Sequence, residues 1–169
     1  MSEIKNVLRN FAGFVDGRGY AGQFASVTLP KLTIATRDYR AGGMDGATRI
    51  DIGLEPMEAM LESNGLDVDL LRTWGVGSEE VPWTFRGSVQ DGVHGEVRPV
   101  VAEMRGWCSE EDFGDWKAGE EAPVKLKLEV QFYKLTVDGD VVHEIDVENM
   151  VRIVNGTDQL EGQRQALGI

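Results

Sequence analysis

Between Val124 and Tyr133 apolar and polar residues alternate: Val124, Leu126, Leu128, Val130 and Phe132 fall on one parity, Lys125, Lys127, Glu129, Gln131 and Tyr133 on the other. Successive side chains of a strand point to opposite faces, so this run predicts a long strand with one buried face. Asp138-Gly139 follows, a pair that tolerates the two positive φ angles of a tight hairpin turn, and Val141 to Ile145 is the predicted return strand. The same period places strands at Phe11 to Val15, from Tyr20 towards Leu29, at Val81, Trp83 and Phe85, and from about Glu96 to Gly106. Pro56 to Ser63 fits either period and is read as strand. Helical spacing is confined to Asp67 to Trp74, with Asp67 as N-cap and Val68, Leu70, Leu71 and Trp74 on one side, and to Asp158 to Leu167, stopped by Gly168. Ser109 to Ala122, with six acids, reads as a solvated connection.

The least ordinary stretch lies after Pro30. Leu32, Ile34 and Thr36 alternate with Lys31, Thr33 and Arg37, and Ile50, Ile52 and Leu54 alternate with Arg49, Asp51 and Glu55. These are the predicted arms of a long hairpin over about residues 31–55. Its tip is Tyr39-Arg40-Ala41-Gly42-Gly43-Met44-Asp45-Gly46, three glycines around two large side chains with little of their own to pack against. Two readings of that tip stay open: a flexible surface loop, or a loop that orders only against another subunit.

At 169 residues with 41% hydrophobic content the chain is one domain's length and can bury a core, and its 21 glycines at turn-like positions favour a mostly-β protein. A net charge of −12 argues against a phosphate-binding surface, because sequence-independent affinity for nucleic acid comes from lysine and arginine. Residues 1–5 lack the charged-then-apolar architecture of a leader, and no apolar run approaches the roughly 20 residues of a membrane span. A soluble, cytoplasmically made chain with no membrane anchoring is expected. Cys108 is the single cysteine, so no disulfide or thiolate-rich zinc site can form within one chain.

Gly17-Arg18-Gly19-Tyr20-Ala21-Gly22 matches the letters of a dinucleotide fingerprint, but that motif works by opening a helix, and a strand-like run into Pro30 follows here. His94 and His143 have no metal-ligand spacing, no nucleophile elbow exists, and the dense acids look solvated rather than pKa-raised. No enzyme, cofactor or metal site is expected. Two-faced strands with unpaired edges and a sticky tip suit self-association better than turnover.

A resemblance now becomes visible in ordered fragments. Ser26-Val27-Thr28-Leu29-Pro30-Lys31-Leu32, Tyr39 to Asp45, Ile50 to Glu55, Phe85-Arg86-Gly87-Ser88, Asp115 to Glu120, Tyr133-Lys134-Leu135, Glu144-Ile145-Asp146, Asn155-Gly156, Asp158-Gln159-Leu160 and Leu167-Gly168-Ile169 occur in sequence. Together they resemble the major tail tube proteins of contractile-tailed phages and R-type pyocins. The resemblance implies a mostly-β single domain over residues 1–169. That domain would be a β-barrel or sandwich with one short flanking helix, a C-terminal helical segment and a long hairpin for ring stacking, related in architecture to type VI secretion tube subunits. It implies stacked hexameric rings forming the inner tube of a phage tail, the conduit for DNA ejection, in a virion assembled in the bacterial cytoplasm. The implied partners are other copies of the chain, the sheath, the baseplate and tail terminator, and the tape measure protein followed by DNA in the lumen without specific binding. It implies no catalytic residue.

On that basis Tyr39, Arg40, Gly42, Gly43, Met44, Asp45 and Gly46 are candidates for contacts between subunits or rings, and Lys31, Thr33, Arg37, Arg49, Asp51 and Glu55 are candidates for the lumen wall. The alternative within the class is the tube of a DNA-free injection particle, pyocin-like or type VI-like. The alternative outside it is a monomeric small-molecule-binding β-barrel.

Overall fold

The computed structural model describes residues 6–75 and 80–169; residues 1–5, on which the leader reading rests, lie outside the described residues. In chain order the elements are β1 (Val7–Val15), β2 (Arg18–Gly19), β3 (Phe24–Thr28), β4 (Ile34–Tyr39), β5 (Thr48–Leu54), β6 (Met57–Asn64), α1 (Val68–Leu71), β7 (Val81–Gln90), β8 (Val97–Asp112), β9 (Pro123–Val137), β10 (Asp140–Asp146), β11 (Val151–Val154), β12 (Thr157–Asp158) and α2 (Glu161–Leu167). Asp138-Gly139 turns at φ 53° and 86°, as its sequence requires for a two-residue hairpin. Asn155-Gly156, at 49° and 76°, makes the same turn between β11 and β12, two strands that the sequence reading did not contain.

β8 and β9 are the spine. β9 pairs with β8 along one edge; its other edge takes β6 from Asn64↔Pro123 to Met57↔Val130 and then β10 from Asp146↔Phe132 to Asp140↔Val137. β3 lies outside β6, β11 and β12 lie outside β10, and β7, β1 and β2 follow β8 on the other side. All these pairs are antiparallel. Alternating residues of these strands fill one core: Met57, Ala59 and Leu61 of β6, Trp83 and Phe85 of β7, Met104 and Cys108 of β8, and Val124, Leu126 and Leu128 of β9. The sheet curls until the Phe24 ring of β3 meets Phe85 edge-on at 5.4 Å, and the Tyr20 N–H donates to the Gly13 carbonyl of β1 at 2.8 Å. Among the described residues no ladder joins β3 to β1, so the expected barrel or sandwich is a curled but open sheet.

One alternation breaks where the sequence shows none. Val130 is buried but Phe132 is not, and Tyr133 takes the inward position. Gly106 pairs with Val130 and Arg105 with Phe132, so Gln131 is the extra residue of a bulge and every side chain beyond it changes face. Gly106 is the reason: a Cβ there would sit 2.0 Å from the Glu129 carbonyl oxygen, so the two backbones approach as only glycine allows. Phe132, turned outward, is covered by the Arg105 guanidinium 4.3 Å from its ring centre.

The short helix is shorter than its spacing predicts. Asp67 caps it, its carboxylate accepting from the N–H groups of Asp69 and Leu70 at 3.0 and 3.1 Å. The Gly75 N–H then donates to Cys108 of β8 at 3.0 Å, which pulls the chain out of helix after Leu71. Leu70 is buried, but Val68 and Trp74 are exposed, so the predicted apolar side is narrower than its sequence. α2 ends as read, at Gly168 with φ 74°. No described helix is long and apolar enough to cross a membrane.

Candidate assembly surfaces

β3 pairs with β6, and β4, which continues β3, pairs with β5, which leads into β6. Residues 24–64 are thus one long hairpin interrupted on both arms by proline, at Pro30 and Pro56, which supply no N–H to a ladder. The lower half buries one face in the core. The upper half leaves the sheet, joined to it where the Glu55 N–H donates to the Thr33 carbonyl at 2.9 Å and where Leu54 packs on the core, and beyond that root it exposes both faces, with Tyr39 46% and Ile52 61% accessible.

At its tip the Met44 N–H donates to the Ala41 carbonyl at 3.2 Å with Gly43 at φ 87°, the third position of a turn that needs glycine there. The Met44 sulfur accepts from the Ala41 N–H at 3.3 Å, so this side chain folds over its own turn. Tyr39, Arg40, Gly42, Gly43, Asp45 and Gly46 stay exposed.

The six polar positions read as one wall do not share a face. Directly opposed residues of a ladder lie on the same side, and the register sets Arg37 with Ile50 but Arg49 with Asp38 and Asp51 with Thr36. Arg37 is therefore opposite to Arg49 and Asp51. Lys31, Thr33 and Glu55 are exposed at the root of the arm, outside its ladder.

Asp51 anchors the arm. The Gly53 N–H donates to its carboxylate at 2.8 Å and the Arg152 guanidinium of β11 at 2.7 Å, and the two together hold its carboxyl below the ordinary 3.8. A depressed folded pKa means that this contact stabilises the arm fully above the ordinary value and is lost as pH falls through the lower one. The Gly53 amide shift should accordingly titrate with a midpoint under 3.8. Asp51→Asn should remove that titration; a midpoint at or above 3.8 in the native chain would contradict the anchor.

A second surface is the outward face of β3, β6, β9 and the last third of β8. Register aligns Ser26, Glu62, Lys125 and Asp112 in one row across the strands, Thr28, Met60, Lys127 and Glu110 in the next, and Glu58, Glu129 and Trp107 in a third. Five carboxylates stand against two lysines, and Lys127 reaches Glu58 at 2.9 Å and Glu129 at 3.7 Å. These rows explain why residues 109–112 are strand rather than the solvated connection their acidity predicts. Glu110 and Asp112 sit opposite Lys127 and Lys125, cross-strand pairs that favour the ladder where intrinsic propensity does not. The β7 ladder stops at Gly106, Trp74 bridges Cys108 and donates its indole N–H to the Ser109 carbonyl at 3.2 Å, and beyond that, among the described residues, β8 to Asp112 has no strand on its outer side, and neither has β3.

Among the described residues the candidate reactive groups do not converge. His94 is exposed in a turn, and His143 lies between Leu135 and Val154 in the sheet. Burial first of all pushes the Cys108 thiol up to about 11, which keeps it protonated and unreactive. Among the described residues no three His, Cys, Asp or Glu side chains gather as metal ligands. Gly17 and Gly22 sit in turns, and β3 rather than a helix follows the glycine run.

The family model for phage tail tube protein FII matches residues 5–168. The chain is 38% identical over 161 residues to the tail tube protein of Escherichia phage P2, covering 92% of this chain and 93% of that one. It is 35% identical over 150 residues to the major tail tube protein of Serratia phage KSP20, covering 88% and 86%. Among solved structures, its fold is similar to a chain from the PVC sheath/tube terminator of an extracellular contractile injection system, with TM-score 0.59, 13% identity and coverage of 77% and 95%. A chain from the PVC sheath-tube complex in its extended state gives TM-score 0.58 at 14% identity, covering 75% and 88%.

Proposed function

We propose, since this chain belongs to the phage tail tube protein FII family, that its copies polymerise as stacked hexameric rings into the inner tube of a contractile phage tail. The observation that carries the reading is the projecting arm of β4 and β5. Ile34, Tyr39, Ile50 and Ile52 are exposed on a two-stranded element that packs on its own core only at its root, through Leu54, and these side chains gain further apolar burial from a neighbour.

The open edges supply the ring. β3, β6, β9 and β8 alternate in direction, so β3 of one copy set beside residues 109–112 of the next gives an antiparallel seam, and repetition around a circle removes both edges. The charged rows then face the lumen. Their excess of carboxylates offers passing DNA no phosphate contact, so the genome slides without sticking. Lys31, Thr33 and Glu55 continue this wall at the root of the arm, while Arg37, Arg49 and Asp51 lie further out, where the arm crosses to the next ring. The sheath outside, the terminator and baseplate at the two ends, and the tape measure protein and then DNA inside are the partners of this reading, in a virion tail assembled in the bacterial cytoplasm.

A second reading, the tube of a DNA-free injection particle, is favoured by the fold's similarity to an extracellular contractile injection system. Capsid and packaging genes beside this one would separate the two. A monomeric ligand-binding barrel is not kept, because the family's role is structural. Sizing and negative-stain microscopy of the purified protein at rising concentration tests the assembly: rings or tubes support it, and compact monomers at every concentration contradict it.

A further inference from the structure

The long hairpin gives the subunit two different ends. At the end away from the tip, Asn64 pairs with Pro123, and the chain beyond these residues forms a groove of 310 Å³ lined by Leu66, Trp116, Lys117, Glu120 and Glu121 among others. That is about ten water volumes, room for one large side chain. The groove's apolar walls are open, with Trp116 70% and Leu66 50% accessible. Lys117 pairs with Glu120 at 3.8 Å, whereas Glu121 has no ion pair among the described residues. At the opposite end stand Tyr39 and, beside it, Arg40, exposed and likewise without an ion pair among the described residues. At ~3.3 Å per residue the strands between groove and tip span more than about 40 Å, so no arm reaches its own groove.

We propose that the groove at Leu66 and Trp116 receives the arm tip of a second copy in the next ring, with Tyr39 between those two side chains and Arg40 against Glu120 and Glu121. The inference rests on the tube reading and adds its receiving surface. The groove has room for one large side chain and carries a carboxylate without an ion pair among the described residues where the tip offers a guanidinium without one, and aromatic and arginine side chains are the groups that carry most binding energy at an interface. Tip and groove also lie at opposite ends of one subunit. A contact between unlike surfaces at the two far ends of one subunit adds copies along that axis rather than around a circle, so this one pairing joins each ring to the next along the whole tube.

The test is tube formation by full-length variants, followed by microscopy and by the lowest concentration that polymerises. Arg40→Glu should raise that concentration roughly tenfold or more, and Trp116→Ala should do the same; both positions are exposed, and circular dichroism should stay native. Arg40→Glu combined with Glu120→Arg and Glu121→Arg should return it to within about threefold of the native chain. Native polymerisation by Trp116→Ala, or a charge-reversed combination that folds yet shows no recovery, would overturn the contact while leaving the tube reading intact. Failure of the native chain itself to form tubes would sink both.

Discussion

Removing residues 41–46 is expected to leave a folded, soluble subunit that no longer polymerises. The six residues lie beyond the last pairs of β4 and β5, outside the core, and among the described residues their hydrogen bonds are the two between Ala41 and Met44. Stability should therefore change by less than about 0.5 kcal/mol, the usual scale for surface changes away from special features. Assembly should be lost, because the turn set by Gly43 presents Tyr39 and Arg40 at the end of the arm. Gel filtration together with negative stain reads both halves. Tubes of normal length from the deleted chain would contradict the stacking role of the arm.

Gly106→Ala is expected to be among the most damaging single changes in the molecule. The added methyl would lie 2.0 Å from a backbone oxygen and 3.1 Å from the Cα of Val130, not against the movable end of a side chain. Only separation of β8 from β9 relieves that clash, and these strands hold Met104, Cys108, Leu126 and Leu128 in the core. A cost of about 3 kcal/mol or more follows, at the upper end for overpacking, and it should be read as a lower urea midpoint with little change in slope. Gly162→Ala is the control of opposite sign: nothing lies within 4 Å of the new methyl, and its place in α2 favours alanine over glycine by about 0.5–1 kcal/mol. Equal midpoints for the two variants would refute the close approach at the bulge.

Much of the fold was legible because local pattern and tertiary demand agree. The inward parity of Met57, Ala59 and Leu61, and of Trp83 and Phe85, was visible as period two, and Asp138-Gly139 announced its turn. What was not legible depends on a second strand. The bulge at Gln131 is set by a glycine 25 positions earlier in the chain, and the strand at 109–112 exists because lysines of β9 stand opposite its acids. The same holds for the surfaces. The tip was visible as three glycines around Tyr39 and Met44, yet which face each polar residue of the arm occupies depends on the bulge that leaves Ile52 unpaired and Gly53 at φ 131°. Trp116 lies in an acidic stretch that reads as solvent-facing, and only the pairing of Asn64 with Pro123 sets it beside Leu66.

Electron cryomicroscopy of tubes grown from the purified chain tests the central claim most directly. The account predicts hexameric rings whose lumen is lined by Glu58, Glu62, Lys125 and Lys127, with β3 of each copy against residues 109–112 of its neighbour. Rings lined by a different face, or compact monomers under every condition that assembles related tubes, would contradict it.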